Sequence, residues 1–172
     1  GLGWALWRDA EALPDDLVFE VDYLGGSSPS FTLNFSRPGA HVVAQYYSFL
    51  RYGFEGLRDL AGRSRTTARA LAARIAAIAP YELVTDGSEL PAFAFRVAPG
   101  TEGLTVFDVS QAMRARGWHL PAYTFPAPCQ DVSVLRLVVR TGFTAELAGM
   151  FVADLTEVTR RLHTDRPVSP LS

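Results

Sequence analysis

Between His41 and Ala79 the apolar residues Val43, Tyr47, Leu50, Phe54, Leu57, Ala61, Ala68, Leu71, Ile75 and Ile78 recur at intervals of three and four, apart from one gap. An α-helix turns once in about 3.6 residues, so this spacing lays a continuous apolar stripe along one very long helix or two joined helices. Gly53, Gly56 and Gly62 interrupt the run. Each lowers helix propensity by up to about 1 kcal/mol relative to Ala, which predicts a bend or break near them. Arg58, Arg63, Arg65, Arg69 and Arg74 mostly avoid the stripe and read as its solvated face.

The flanks of this helix differ in texture. From Gly3 to Trp7 the residues are apolar without alternation, as in a strand buried on both faces, and the start GLGWALW reads as a cut end. Leu17-Val18-Phe19 leads to the cluster GGSSPS, expected to break regular structure as a flexible loop, and Phe31 to Phe35 resumes alternation as a strand. After Pro80 a second, smaller lobe is expected. Tyr81 to Thr85 and Pro91 to Val97 read as strands around the DGSEL turn, Val106 to Arg116 as a helix, Leu135 to Arg140 as a strand and Ala145 to Leu162 as a closing helix. Strand, strand, helix, strand, helix is an α/β or α+β sandwich. The expected organisation is residues 1–79 with the long connecting helix, residues 80–163 as the small α/β domain, and 164–172 as a frayed tail.

Composition removes several classes of function. The chain is 48% hydrophobic, enough for one good core or two small ones sharing a helix. Its sixteen basic residues are all Arg and face eighteen acids, so no positive field draws nucleic acid or an anionic membrane surface. No apolar run approaches the roughly 20 residues of a bilayer span. The single cysteine, Cys129, excludes an internal disulfide, is read as a packing residue and fits a reducing, cytoplasmic setting.

Candidate chemistry is sparse. His41, His119 and His163 stand far apart without acids at metal-ligand spacing, no Gly-x-Ser-x-Gly elbow occurs, and no glycine-rich loop is followed by a lysine. An anion site remains open at Asn34, Ser36 and Arg37, where a hydroxyl, a guanidinium and the amides of a helix start could hold a phosphate; from spacing alone an ordinary helix cap is the commoner reading. In Val134-Leu135-Arg136-Leu137-Val138-Val139-Arg140, Arg136 alternates away from Leu135 and Leu137. It is either the solvent face of an edge strand or a fork for a carboxylate inside a cleft.

The blocks LPDDLVFEVDYLGG, FTLNFSRP, VVAQYYSFLRYGFEGLRDL, MRARGWHLPAYTFP and VLRLVVRTGF, in this order and with similar gaps, resemble glutamate decarboxylase, of the group II pyridoxal-phosphate-dependent decarboxylases. The resemblance runs from about Gly3 to Leu162. It implies an aspartate-aminotransferase-type fold, of which this chain is the end of the cofactor-binding domain plus the small C-terminal domain. It implies pyridoxal phosphate as cofactor, L-glutamate as substrate, 4-aminobutyrate and carbon dioxide as products, and a homo-oligomer with active sites shared across a dimer. By the same resemblance Ser36 reaches the cofactor phosphate of the neighbouring subunit, Tyr23 on a loop assists protonation after carbon dioxide leaves, and Arg136 binds the substrate's α-carboxylate. The Schiff-base lysine and the aspartate that pairs with the pyridine nitrogen would lie upstream of Gly1, so the chain alone is expected to be inactive. The pH-gating tail of some bacterial members and the calmodulin-binding extension of plant members have no match here.

Two other readings stay open. One is a decarboxylase of another amino acid; the other is a stand-alone α/β binding or interaction module formed by Tyr81 to Leu162.

Overall fold

The computed structural model describes residues 3–23, 25–30 and 38–164, with residues 21–23 and 27–30 described by backbone alone. The expected strand over Phe31 to Phe35, the anion-site residues Asn34, Ser36 and Arg37, and most of the tail lie outside the described residues. The chain divides into two units, Gly1–Glu55 and Gly56–Ser172.

In the first unit, Gly3 to Trp7 forms no strand and is exposed, with Trp4 71% and Leu6 89% accessible. An extended segment becomes a strand only when a neighbour supplies backbone partners, and none of the described residues does so. Two 3-10 turns follow, Ala10–Ala12 and Asp15–Leu17, the first capped by Asp9 through Ala12 N–H at 3.0 Å. β1 (Phe19–Tyr23) then pairs antiparallel with β2 (Gly26–Ser30), Tyr23 opposite Gly26. The GGSSPS cluster is therefore largely the return strand of a hairpin, contrary to the expected loop. Gly25, at φ 85°, supplies the left-handed turn residue that lets the chain reverse.

The long helix α1 spans Ala40–Ala76 and is broken at Gly53, whose φ of 58° and ψ of −171° belong to a region that only glycine enters cheaply. Gly56 and Gly62 stay helical, so the expected break falls on one of the three candidates. The predicted stripe has two fates. Before and just after the break its residues are exposed, Leu50 at 69% and Phe54 at 77%, whereas Ala68, Leu71, Ala72 and Ile75, one face at i, i+3, i+4 and i+7, are buried in the core of the second unit.

That core is built on a four-stranded antiparallel sheet of order β3-β4-β6-β5, comprising β3 (Tyr81–Leu83), β4 (Ala92–Val97), β5 (Ala122–Thr124) and β6 (Ser133–Val138). The register places Phe93 opposite Leu137 and Phe95 opposite Leu135, and all four side chains are buried. The alternate positions, Ala94 opposite Arg136, fall on the other face. α2 (Val106–Ala115) contributes Val106, Val109 and Met113, and α3 (Ala145–Thr164) contributes Ala148, Phe151, Leu155 and Val158. Thr105 and Asp108 form a reciprocal capping box that starts α2, with bonds of 3.1 and 3.2 Å. Gly87, at φ 76°, lets the β3–β4 turn sit against α1, where an added Cβ would meet the Ala68 Cβ at 3.3 Å. The strands and helices expected after Pro80 are all present, with α3 running two residues further to Thr164. β5 is additional, and Cys129 is exposed rather than packed, in a turn where its N–H donates to Pro126 O at 2.9 Å.

One buried polar pair closes the core. Thr159 Oγ1 donates to Leu155 O at 2.7 Å, so the 2.6 Å contact to the Tyr81 hydroxyl leaves the tyrosine as donor. Burial raises the Tyr81 pKa from 10.0 to about 12. Folding therefore favours the neutral phenol: the contribution to stability is complete below pH 10 and is lost as pH rises through about 12. Thr159→Val should destabilise the second unit by about 1–3 kcal/mol, since it strands a buried hydroxyl; Tyr81→Phe, which leaves Thr159 partnered, should cost about 1 kcal/mol. Urea unfolding followed by circular dichroism ranks the two, and the reverse order would contradict this assignment.

Candidate functional site

Arg136 stands on the sheet face turned away from the core because Leu135 and Leu137 occupy the other. β6 is an interior strand, flanked by β4 and β5, so the edge-strand reading of Arg136 does not hold. Its backbone N–H donates to Pro121 O at 3.0 Å. Its guanidinium carbon lies 5.7 Å from the ring centroid of Tyr123, a diagonal neighbour, since Tyr123 is opposite Val134. At an exposed site such a cation–π contact contributes about 0.5–1 kcal/mol and, more usefully, fixes the plane of the fork. Among the described residues no carboxylate pairs with Arg136.

A cleft of about 390 Å³ opens beside it, with Trp118, His119, Pro121, Arg136, Arg140 and Phe143 in its wall. Its titratable groups are two guanidiniums and an imidazole, without an acid, so the cleft favours an anion. The aromatic part is ordered: Trp118 meets Phe151 edge-to-face at 5.2 Å and 83°, and Phe143 at 6.4 Å. Behind the wall, Asp154 of α3 accepts from Trp118 Nε1 at 2.8 Å and from the Arg116 guanidinium. The Trp118 bond and then Arg116 hold its carboxyl below the usual carboxylate range. An arginine laid over an aromatic ring, with no internal acid to satisfy it, is preorganised for a bidentate carboxylate.

Tyr23 ends β1 at the hairpin in the first unit, while Arg136 belongs to the second, and Ser36 is outside the described residues. Tyr123, Trp118, His119, Arg140 and Asp154 were given no role by sequence reasoning. Trp118, His119 and Tyr123 stand in the MRARGWHLPAYTFP block, but nothing in their spacing marks them as a wall around Arg136. Among the described residues no cluster of His, Cys, Asp and Glu could hold a metal ion, and no helix is long and apolar enough to cross a membrane.

Residues 1–98 match the pyridoxal-dependent decarboxylase conserved domain. The chain is 45% identical over 157 residues to a glutamate decarboxylase of Aliivibrio fischeri, covering 90% of this chain and 34% of the relative. It is 38% identical over 170 residues to a glutamate decarboxylase of Solanum lycopersicum, covering 99% of this chain and again 34% of the relative. The structure is similar to that of glutamate decarboxylase from Lactobacillus brevis, with a TM-score of 0.82 at 36% identity over 94% of this chain and 37% of the other. It is also similar to a sphingosine-1-phosphate lyase from Burkholderia pseudomallei, with a TM-score of 0.70 at 26% identity over 92% and 34%. The chain thus spans about a third of the length of the relatives it matches, and the fold expected from the resemblance is borne out. On this agreement of sequence and structure, the chain belongs to the pyridoxal-dependent decarboxylase family.

Proposed function

We propose that this chain is the C-terminal portion of a glutamate decarboxylase, and that its own share of the reaction is to bind and orient the α-carboxylate that leaves as carbon dioxide. The observation that carries this reading is Arg136, held on an interior strand over Tyr123, beside an acid-free cleft. In the complete protein the fork would fix the direction of the carboxylate, and orientation by positioned groups can lower a barrier by several kcal/mol. Tyr23, two residues before the Gly25-Gly26 pair of the hairpin, is assigned the proton-assisting role, and Ser36 the contact to the cofactor phosphate of a neighbouring subunit. A shared-site homodimer and a cytoplasmic location belong to the same proposal.

Pyridoxal phosphate is the family's cofactor, but the residues present do not fit it on their own. The chain contains no lysine, hence no side-chain amine to bond the cofactor aldehyde. The chain alone should therefore release no carbon dioxide from L-glutamate with pyridoxal phosphate added, whereas a protein extended upstream to its natural start should. Inactivity of a well-folded, cofactor-loaded extended protein would contradict the glutamate reading. In the active form, Arg136→Lys keeps the charge but loses the two-pronged fork, and should lower kcat/KM by about 10–100-fold. An unchanged kcat/KM would remove Arg136 from the site.

One feature favours the reading as a stand-alone module: the second unit has its own core, and among the described residues no buried side-chain nitrogen or oxygen lacks a partner. The exposed apolar residues of α1, including Tyr46, Tyr47, Leu50 and Phe54, favour the decarboxylase portion instead. Sedimentation velocity separates the two: association of the isolated chain supports the proposal, and a monodisperse monomer supports the module.

A further inference from the structure

We infer that Asp154 is a positioning residue for the carboxylate-binding cleft, acting through Trp118 and the loop between α2 and β5; the inference rests on the role proposed for Arg136. Asp154 does not line the cleft. It reaches the cleft wall from α3, accepting the indole N–H of Trp118 at 2.8 Å and a hydrogen bond from Arg116, the residue that ends α2. At Gly117, with φ 88°, the chain leaves the helix, and Trp118 N–H donates to Met113 O at 3.1 Å. Ser110 Oγ then donates to Leu120 O at 2.6 Å, and Pro121 O accepts the Arg136 N–H at 3.0 Å.

These bonds make a single chain of support from α3 to the fork. The loop they hold supplies Trp118, His119 and Pro121 to the cleft wall and delivers Tyr123, two residues beyond Pro121, beneath the Arg136 guanidinium. Ser110 fixes the far end of the loop, at Leu120. At the near end, Asp154 anchors both the helix terminus and the indole, which otherwise packs against the core and meets the rings of Phe143 and Phe151. Edge-to-face contacts set a distance between rings, but they do not fix a rotation as a short N–H to carboxylate bond does. The two donors also keep the carboxylate ionised, so the anchor persists through the neutral range.

The test uses the complete enzyme, assayed first as wild type on L-glutamate, so that failure of the substrate reading shows before any variant is made. In an active enzyme, Asp154→Asn weakens the Arg116 pair and the indole bond without emptying the site. KM for glutamate should rise by about tenfold and kcat should fall with it, because a fork out of position both binds and orients the carboxylate less well. In an Arg136→Lys background the same substitution should change KM little, since the fork it positions is already gone. An unchanged KM, or an equal rise in KM with and without Arg136, would overturn the inference and leave Asp154 a structural residue. Should Asp154→Asn fail to fold, Trp118→Phe decides, because it keeps an aromatic ring and removes the donor. A comparable rise in KM that disappears in the Arg136→Lys background upholds the inference; any other result overturns it.

Discussion

The register between β4 and β6 is the constraint on which the rest of the second unit depends. Pairing Phe93 with Leu137 and Phe95 with Leu135 puts four large side chains on one face, where α2, α3 and the end of α1 cover them. Because side chains alternate, the same register delivers Arg136 to the opposite face beside Ala94. A slip of one residue would turn the guanidinium toward the core and Leu135 and Leu137 away from it, costing both the core and the candidate site. Core and site are thus two faces of one pairing. The short strand β5 adds the second half of the arrangement by placing Tyr123 two positions from Arg136 on that outer face.

The long helix shows how one periodic pattern can serve two environments. Its C-terminal part buries Ala68, Leu71, Ala72 and Ile75 within the described residues, and the small alanines allow close approach. Its N-terminal part carries Val42, Val43, Tyr46, Tyr47, Phe49, Leu50 and Phe54 exposed, around much of the helix rather than along one stripe. A helix apolar on most of its circumference is normally enclosed by a larger core. That accords with a chain covering about a third of the length of its relatives.

What was legible in the sequence followed periodicity. The strands β3, β4 and β6 and the helices α2 and α3 were foreseen because alternation, three-four spacing and turn residues agreed on each. Arg136 was legible for the same reason, as the odd member of an alternating run. β5 was not, since three residues carry too little pattern, and the β1–β2 hairpin was hidden by the Gly, Ser and Pro of its return strand. The strand expected at Gly3 to Trp7 failed because composition records burial without naming the partner that provides it. The support of the cleft wall was illegible in principle: Trp118 and the Asp154 that holds it are 36 residues apart, and no local spacing relates them. The roles of Tyr23 and Ser36 came from the family resemblance rather than from their spacing.

The second unit folds around its own sheet and carries the Arg136 fork ready-made, while among the described residues the first unit's apolar helix face has no core of its own. Hydrogen exchange of backbone amides in the isolated chain measures this difference residue by residue. Slow exchange should be concentrated in β4, β6, α2 and α3, including the Arg136 amide bonded to Pro121, with fast exchange through β1, β2 and the start of α1. Fast exchange at Arg136 and through β4 and β6, or equal protection in the first unit, would contradict it.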